Sequence, residues 1–467
     1  MLSLDNLMNW LPGGRRVGDC NVINASRVHT DTRSLQPGDL FVALKGEQFD
    51  AHEFLSEAKA DGAVAAIAQH GLAKAGFAGI EVADTRLALG QIAAGWRSQF
   101  SLPLIAVTGS NGKTTVTQMI AAILQSWKQE AALATEGNFN NDIGVPLTLL
   151  RLRASHEVGV IELGLNHPGE IAYLAGLVQP AVALVNNAQR EHLEFMGTVD
   201  AVARENGSVL TAGNANAVVV FPADDVYTAL WQHLAGDREV LTFSLEGPAD
   251  VTAIAGWNAD AWQVHAQTPS GALEFALHIA GRHNVKNALA AVSCAIAAGV
   301  PLAFIASGLS DFVPVKGRSC ALTVQFQGRD LTLIDDTYNA NPDSMQAASE
   351  VLAELPGPRL LVMGDMGEVG NQGPQFHEEA GRHARSLGIG KFFTLGEQSR
   401  VASAAFGNGS HFCSMAELIS AVVNEIPQVA SVLVKGSRFM KMERVVQAVL
   451  AAGDDLQKDD KKAPHAA

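Results

Sequence analysis

The stretch Leu104-Ile-Ala-Val-Thr-Gly-Ser-Asn-Gly-Lys-Thr-Thr-Val116 decides how the rest of this 467-residue chain is read. Its four leading apolar residues suit a short buried strand, and Gly109, Ser110, Asn111 and Gly112 a tight loop. Lys113, Thr114 and Thr115 then open a segment with apolar residues at Val116, Met119, Ile120, Ile123 and Leu124, which is helical spacing. Strand, glycine loop, Lys-Thr and helix are the parts of a phosphate cradle. Backbone N–H groups and the helix N-terminus surround the anion, Lys113 neutralises it, and the Thr114 hydroxyl reaches a Mg²⁺ ion. The usual spacing would add a glycine at position 107, where this chain has Val107. The stretch is read as a nucleoside triphosphate site.

Composition narrows the class of protein around that site. Apolar residues make up 48% and charged residues 17%, as in ordinary α/β proteins. Lys plus Arg number 33 against 48 Asp plus Glu, a formal charge of −15, which argues against general nucleic-acid binding. An acidic chain that binds phosphates must supply positive charge and metal locally. Cys20, Cys294, Cys320 and Cys413 lie far apart without a C-x-x-C pair, so they read as reduced, mostly buried thiols and not as a zinc site. The N-terminus lacks a signal-peptide pattern, and a cytoplasmic protein without membrane insertion is expected. Residues 288–310 lack charge over a length that could span a bilayer, but Gly299 and Pro301 interrupt them, which predicts two buried helices.

Along the chain, strand-like apolar runs end in polar loops. Near the start, Asp31-Thr-Arg-Ser34, Lys45-Gly46 and Asp50-Ala-His52 flank an apolar run at 40–44 and are either solvated loops or one ligand cleft. The loop 134–146 carries Asn138, Asn140 and Asn141, whose amides either shape turns or hold a sugar or phosphate. Glu162 closes the run 158–161 and is either a strand terminus or a metal ligand, and His192 after the run 181–185 is either a surface residue or a ligand. A further strand is expected over 273–279. Beyond about 314, four strands near 331–334, 360–363, 391–395 and 432–434 alternate with helices and predict a doubly wound parallel sheet. Three domains follow, 1–99, 100–313 and 314–452, with 453–467 read as a disordered tail.

Taken in order, these stretches resemble the ATP-dependent Mur ligases of peptidoglycan synthesis, over nearly the whole chain. Thr108-Gly-Ser-Asn-Gly-Lys-Thr-Thr115 is similar to that family's cradle, which lacks the earlier glycine. The 134–146 loop, Ile161-Glu-Leu-Gly164, Gly281-Arg-His-Asn284, Lys316-Gly-Arg318, Ile334–Pro342 and Val434-Lys-Gly-Ser437 resemble the branch that joins D-Ala-D-Ala to UDP-N-acetylmuramoyl-tripeptide. The resemblance implies an α/β architecture with an N-terminal UDP-muramoyl domain, a central ATP-binding P-loop domain and a C-terminal Rossmann-like domain. It also implies ATP and Mg²⁺ as cofactors and an acyl-phosphate intermediate; a monomer is the default expectation. By resemblance Lys113 holds the β- and γ-phosphates, Thr114 and Glu162 one Mg²⁺, and His192 a second. His283 and Asn284 would approach adenine, while Arg318, Asp336 and Asn339 would reach the nucleotide from the third domain. Asp31, Thr32, Arg33, Ser34, Lys45, Gly46, Asp50 and His52 would cradle the uridine nucleotide, and Lys435 and Ser437 would face the dipeptide or the acyl phosphate.

One position departs from the family pattern. The family carries a CO₂-carbamylated lysine beyond the metal histidine, and Asn206 takes its place here, with Asn206, Glu205 or a water expected to fill the gap. The alternatives are a sister ligase adding a single amino acid and a non-catalytic nucleotide-binding relative. A GTPase switch is excluded because no Asn-Lys dipeptide occurs, so the guanine-reading Asn-Lys-x-Asp is absent.

Overall fold

The structure, a computed structural model, describes residues 2–19, 24–258 and 261–453. The expected tail beyond Gly453, and Cys20, lie outside the described residues. Among the described residues three sheets carry the architecture, with nine, six and five strands, beside a two-stranded pair.

In the central sheet the cradle strand Leu104–Thr108 runs parallel between Val158–Glu162 and Val182–Val185. Its residues alternate between two cores. Leu104 and Ala106 join Ile161, Ala183 and Phe221 on one face, while Ile105 and Val107 join Val160, Leu184, Val116 and Ile120 on the other. A strand apolar at every position therefore needs cover on both faces, and the helix Lys113–Lys128 supplies part of it. Because the three strands are parallel neighbours, the loops after Thr108, Glu162 and Val185 emerge side by side at their carboxyl ends.

The sheet extends further than its sequence suggested. Antiparallel strands Val251–Asn258, Ala261–Thr268 and Gly271–Leu277 form one end, and only the last matches the expected strand at 273–279. Val251–Asn258 is largely exposed and mixes Ala, Gly and Asn, so it carries no apolar run to read. The segment 288–310 resolves into helices Arg282–Ala297 and Leu302–Ser310, broken where Gly299 takes φ +78°. Among the described residues no helix is long and apolar enough to cross a membrane.

The C-terminal sheet contains the four expected strands, and Cys320–Phe326 (antiparallel) and Ser410–Phe412 extend its two edges. The N-terminal sheet orders Arg15–Val17, Gly79–Glu81, Ala65–Ala68, Asp39–Val42 and Arg27–His29, parallel except at its first pair. Its core is continuous with the central one through the helix Thr85–Arg97, where Leu89, Ile92 and Trp96 share a cluster with Leu149, Leu174 and Val178. Contrary to expectation the thiols are not mostly buried: Cys294 is buried, Cys320 half-buried and Cys413 exposed, all of them free.

Candidate functional site

A cavity of about 400 Å³ opens where the central strands end, with the loops of the C-terminal sheet as its far wall. The cradle forms its floor. Gly112, at φ +80°, is the N-cap of the helix Lys113–Lys128, and a Cβ there would sit 2.6 Å from Asn287 Oδ1 and 2.8 Å from Asn186 Nδ2. Only glycine lets the loop pass beneath those amides. Asn186 Nδ2 donates to Asn111 O at 2.9 Å and to Asn287 Oδ1 at 3.0 Å, and Asn187 Oδ1 accepts from Asn111 N at 2.9 Å. Buried amides from two other segments therefore hold the loop in shape. Sequence reading passed over Asn186, Asn187 and Asn287; the place of the first two just after the expected strand 181–185 was the available signal.

Lys113 is mostly buried and fully engaged. Its Nζ donates to Gly109 O at 2.7 Å, to Ser110 O at 3.0 Å and to Glu191 at 3.0 and 3.2 Å. Thr114 Oγ1 donates to Glu162 Oε1 at 3.1 Å, and Asn140 Nδ2 donates to the same oxygen at 2.8 Å. Glu162 Oε2 is buried without a partner. A buried carboxylate oxygen left bare beside a threonine hydroxyl suits a hard divalent cation, so the donor set fits Mg²⁺.

His192 stands at the cavity edge with its backbone at φ +51°, ψ +31°, a left-handed conformation costly for a residue with a Cβ. Its Nε2 lies 3.5 Å from Glu191 Oε1, and its Nδ1 lies 2.6 Å from Glu368 Oε2, off the line that a hydrogen bond requires. Contact with His192 holds the Glu368 carboxyl below its usual range. Glu368 comes from the C-terminal sheet, so two of the three modules meet at this imidazole.

The position after the histidine that departs from the family pattern is fully buried. Asn206 Oδ1 accepts from Thr108 Oγ1 at 2.7 Å, and its Nδ2 has no partner. The expectation that Glu205 fills the gap is corrected here. Its carboxylate accepts from Gly169 N at 2.9 Å and Ile171 N at 2.8 Å, which caps the helix Glu170–Val178.

On the far wall, Arg318 lies over the Tyr338 ring at 4.0 Å, and Asp336 accepts from Ser319 N at 3.0 Å and Lys435 Nζ at 2.6 Å. Lys435 also donates to Asn339 O at 2.9 Å, so its ammonium is already tied down. Ser437 does not border the cavity; its hydroxyl donates to Ala340 O at 3.2 Å and accepts from Gly367 N at 2.7 Å, tying two loops together. His283 and Asn284 both border the cavity, yet the Asn284 side chain is engaged with Ala280 O and Asn287 Nδ2. In the 134–146 loop, Asn140 reaches Glu162, Asn141 Oδ1 caps the helix Gly144–Leu149, and Asn138 is exposed away from the cavity.

The N-terminal candidates form a separate surface, because Arg27–His29 and Asp39–Val42 are parallel and place residues 30–34 and 45–52 at one edge. Asp31, Thr32, Arg33 and Ser34 make a short turn in which Arg33 Nη2 pairs with Asp31 at 2.6 Å, holding the aspartate at about 2. Lys45 and Gly46 lie on an exposed loop closed by Asp50. His52 is not available to a ligand: Nδ1 meets Asp50 Oδ1 at 2.5 Å and Nε2 accepts from Gln69 N at 2.8 Å. The same double engagement leaves the Asp50, His52 and His70 cluster without a free imidazole nitrogen on His52 for a metal.

Comparison with known proteins matches this layout segment by segment. Residues 24–97 match the Mur ligase family catalytic domain, 107–295 the Mur ligase middle domain, and 323–438 the Mur ligase glutamate ligase domain. The UDP-N-acetylmuramoyl-tripeptide–D-alanyl-D-alanine ligase of Escherichia coli K12 is 42% identical over 97% of this chain and 99% of its own length. The chain belongs to the Mur ligase family. Among solved Mur ligases, MurF from Acinetobacter baumannii superposes with a TM-score of 0.89 at 37% identity, covering 96% of this chain and 98% of that one. MurF from Thermotoga maritima, solved in complex with ADP, gives a TM-score of 0.81 at 26% identity over 91% and 97%. Within this Mur ligase, Glu191 and Glu368 were not singled out from sequence as site residues. A charged residue beside His192 was the signal for the first; nothing local signalled the second.

Proposed function

We propose that the chain joins D-alanyl-D-alanine to UDP-N-acetylmuramoyl-tripeptide at the expense of ATP, producing the pentapeptide precursor of peptidoglycan in the cytoplasm. The observation that carries this reading is the family match along the full chain combined with the Lys113, Thr114 and Glu162 constellation at the cradle. A carboxylate is a poor electrophile and hydroxide a poor leaving group, so ATP first converts the tripeptide carboxylate into an acyl phosphate. The dipeptide amine then attacks and phosphate leaves. Positioning and charge neutralisation dominate such a reaction.

Each residue has a task in this reading. The ammonium of Lys113 and the backbone N–H groups of 109–115 orient the β- and γ-phosphates. Thr114 and the bare oxygen of Glu162 would hold Mg²⁺, and His192 a second ion; the metal supplies neutralisation of phosphate charge. Arg318, Asp336 and Asn339 meet the nucleotide from the C-terminal module, with His283 and Asn284 toward the base. The turn at 31–34 with Lys45 and Gly46 meets the uridine nucleotide. Boundaries near 99 and 313 divide the three modules, and the chain acts as a monomer. With neutral Asn206 where the family has a carbamylated lysine, the site depends less on bicarbonate.

Phosphate release from ATP and Mg²⁺ with the UDP-tripeptide, without added bicarbonate, tests the reading. Release that requires D-Ala-D-Ala, with a product heavier by that dipeptide, is expected. Release driven by a single amino acid would move the chain to a sister ligase, and a strong bicarbonate requirement would overturn the role given to Asn206.

A further inference from the structure

Lys113 has three N–H donors, and the structure engages all of them. Two go to Gly109 O and Ser110 O, backbone groups of the cradle itself, which cannot leave without reshaping the loop. The remaining partner is the Glu191 carboxylate, held through both oxygens at 3.0 and 3.2 Å, with both side chains nearly buried. An incoming phosphate needs that ammonium and repels that carboxylate, so Glu191 is the partner that must yield. It does not travel far to reach a second donor group with which it could share a cation. Glu191 Oε1 already lies 3.5 Å from His192 Nε2, on a backbone turned sharply by the left-handed His192. The same cavity holds a second carboxylate with a bare buried oxygen, Glu162 Oε2, while Asn206 offers only a neutral amide.

We propose that Glu191 is an exchangeable anion: it holds Lys113 until the phosphates of ATP take the ammonium over, and then joins His192 as a ligand for a divalent cation. This rests on the ATP-dependent ligase reading and adds to it a carboxylate that supplies the negative charge Asn206 cannot. The exchange also gives nucleotide and cation a reason to bind together, since each removes an unfavourable contact left by the other.

Binding of ADP to the full chain, followed by calorimetry in EDTA and again in Mn²⁺, separates the two halves of the exchange. Glu191→Gln removes the competing charge with little change in shape. In EDTA it should bind ADP about fivefold more tightly than the unaltered chain, the size expected for one mostly buried ion pair. The gain in affinity on adding Mn²⁺ should be smaller than in the unaltered chain by about threefold or more. Glu191→Ala should show the same two shifts, and thermal melting confirms that both variants are folded. Unchanged or weaker ADP binding in EDTA overturns the placeholder role, and an unchanged Mn²⁺ gain overturns the ligand role. Failure of every form, the unaltered chain included, to bind ADP would instead bring down the ligase reading itself.

Discussion

The N-terminal and C-terminal modules are attached to the central one by opposite chemistry. On the N-terminal side the helix Thr85–Arg97 sinks Leu89, Ile92 and Trp96 into the central core, and Arg97 Nε donates to Val178 O at 3.0 Å in a buried setting. On the C-terminal side most of the joint is charged or polar. Arg190 pairs with Asp343 at 2.7 Å and Glu379 at 2.8 Å, Asn341 Nδ2 donates to Asn111 Oδ1 at 2.8 Å, and Glu368 meets His192. An apolar joint loses its whole burial energy if it parts, whereas polar groups released from a joint regain water. The first joint therefore holds two modules as one body. The second is the joint that can part at low cost, and it runs along the edge of the cavity.

Breaking the apolar joint should cost the most. Trp96 is 8% exposed, its indole N–H donates to Leu152 O at 3.1 Å, and its ring meets Phe100 edge-on. Trp96→Ala leaves a large cavity and a bare carbonyl, with an expected loss of about 3–5 kcal/mol. Urea unfolding with unchanged slope and a lower midpoint would register it. A loss below about 1 kcal/mol would mean that the joint is not a shared core.

Breaking the polar joint should leave stability nearly alone and change function. Arg190→Ala removes both ion pairs, whose side chains are one-fifth to one-third exposed, so the stability should fall by less than about 1 kcal/mol. The closed arrangement becomes less populated, and the KM for ATP should rise about three- to tenfold. Raising salt in the unaltered chain should push KM the same way, because partly exposed pairs are screened. An Arg190→Ala chain with unaltered KM and a sharply lower midpoint would reverse the comparison.

How much of this was legible in the sequence follows from how local each signal is. The cradle and its helix could be read because strand, glycine, lysine and apolar period lie within one short stretch; Glu162 at the end of a strand and His192 in the loop after another stayed between structural and ligand readings until the family resemblance named them. Arg190 and Glu368 acquire meaning only when distant loops meet, so nothing near them in sequence marked them, and Glu191 had only its place beside His192 to mark it. His52 and Ser437 illustrate the converse. Both sit in stretches that the family resemblance associates with substrates, yet their polar atoms bind Gln69, Asp50, Gly367 and Ala340. Residue type gives a side chain's chemistry, and only the fold gives its direction. The exposed strand Val251–Asn258 escaped notice for a related reason: a strand that buries little needs no apolar run.

The smallest effect tests whether the N-terminal body keeps its own charge separate from the moving joint. Burial alone would push the Asp39 carboxyl up; the Arg27 guanidinium at 2.6 Å and the Gln36 amide at 2.8 Å more than reverse this, holding it below 3.8. A carboxyl depressed on folding adds stability that is complete above its unfolded value and vanishes as pH falls through its folded one. The contribution should therefore be full at pH 5 and above and fade as pH falls below about 4. Asp39→Asn should lower the melting midpoint at pH 6, and the gap between the two melting curves should narrow as pH falls below about 4. Since Asp39 and Arg27 tie two strands of one sheet and touch neither joint, the KM for ATP at neutral pH should not change. A shift in KM would mean that strain in the N-terminal sheet reaches the cradle through the shared core, and the two outer modules would then differ in strength of coupling and not in kind.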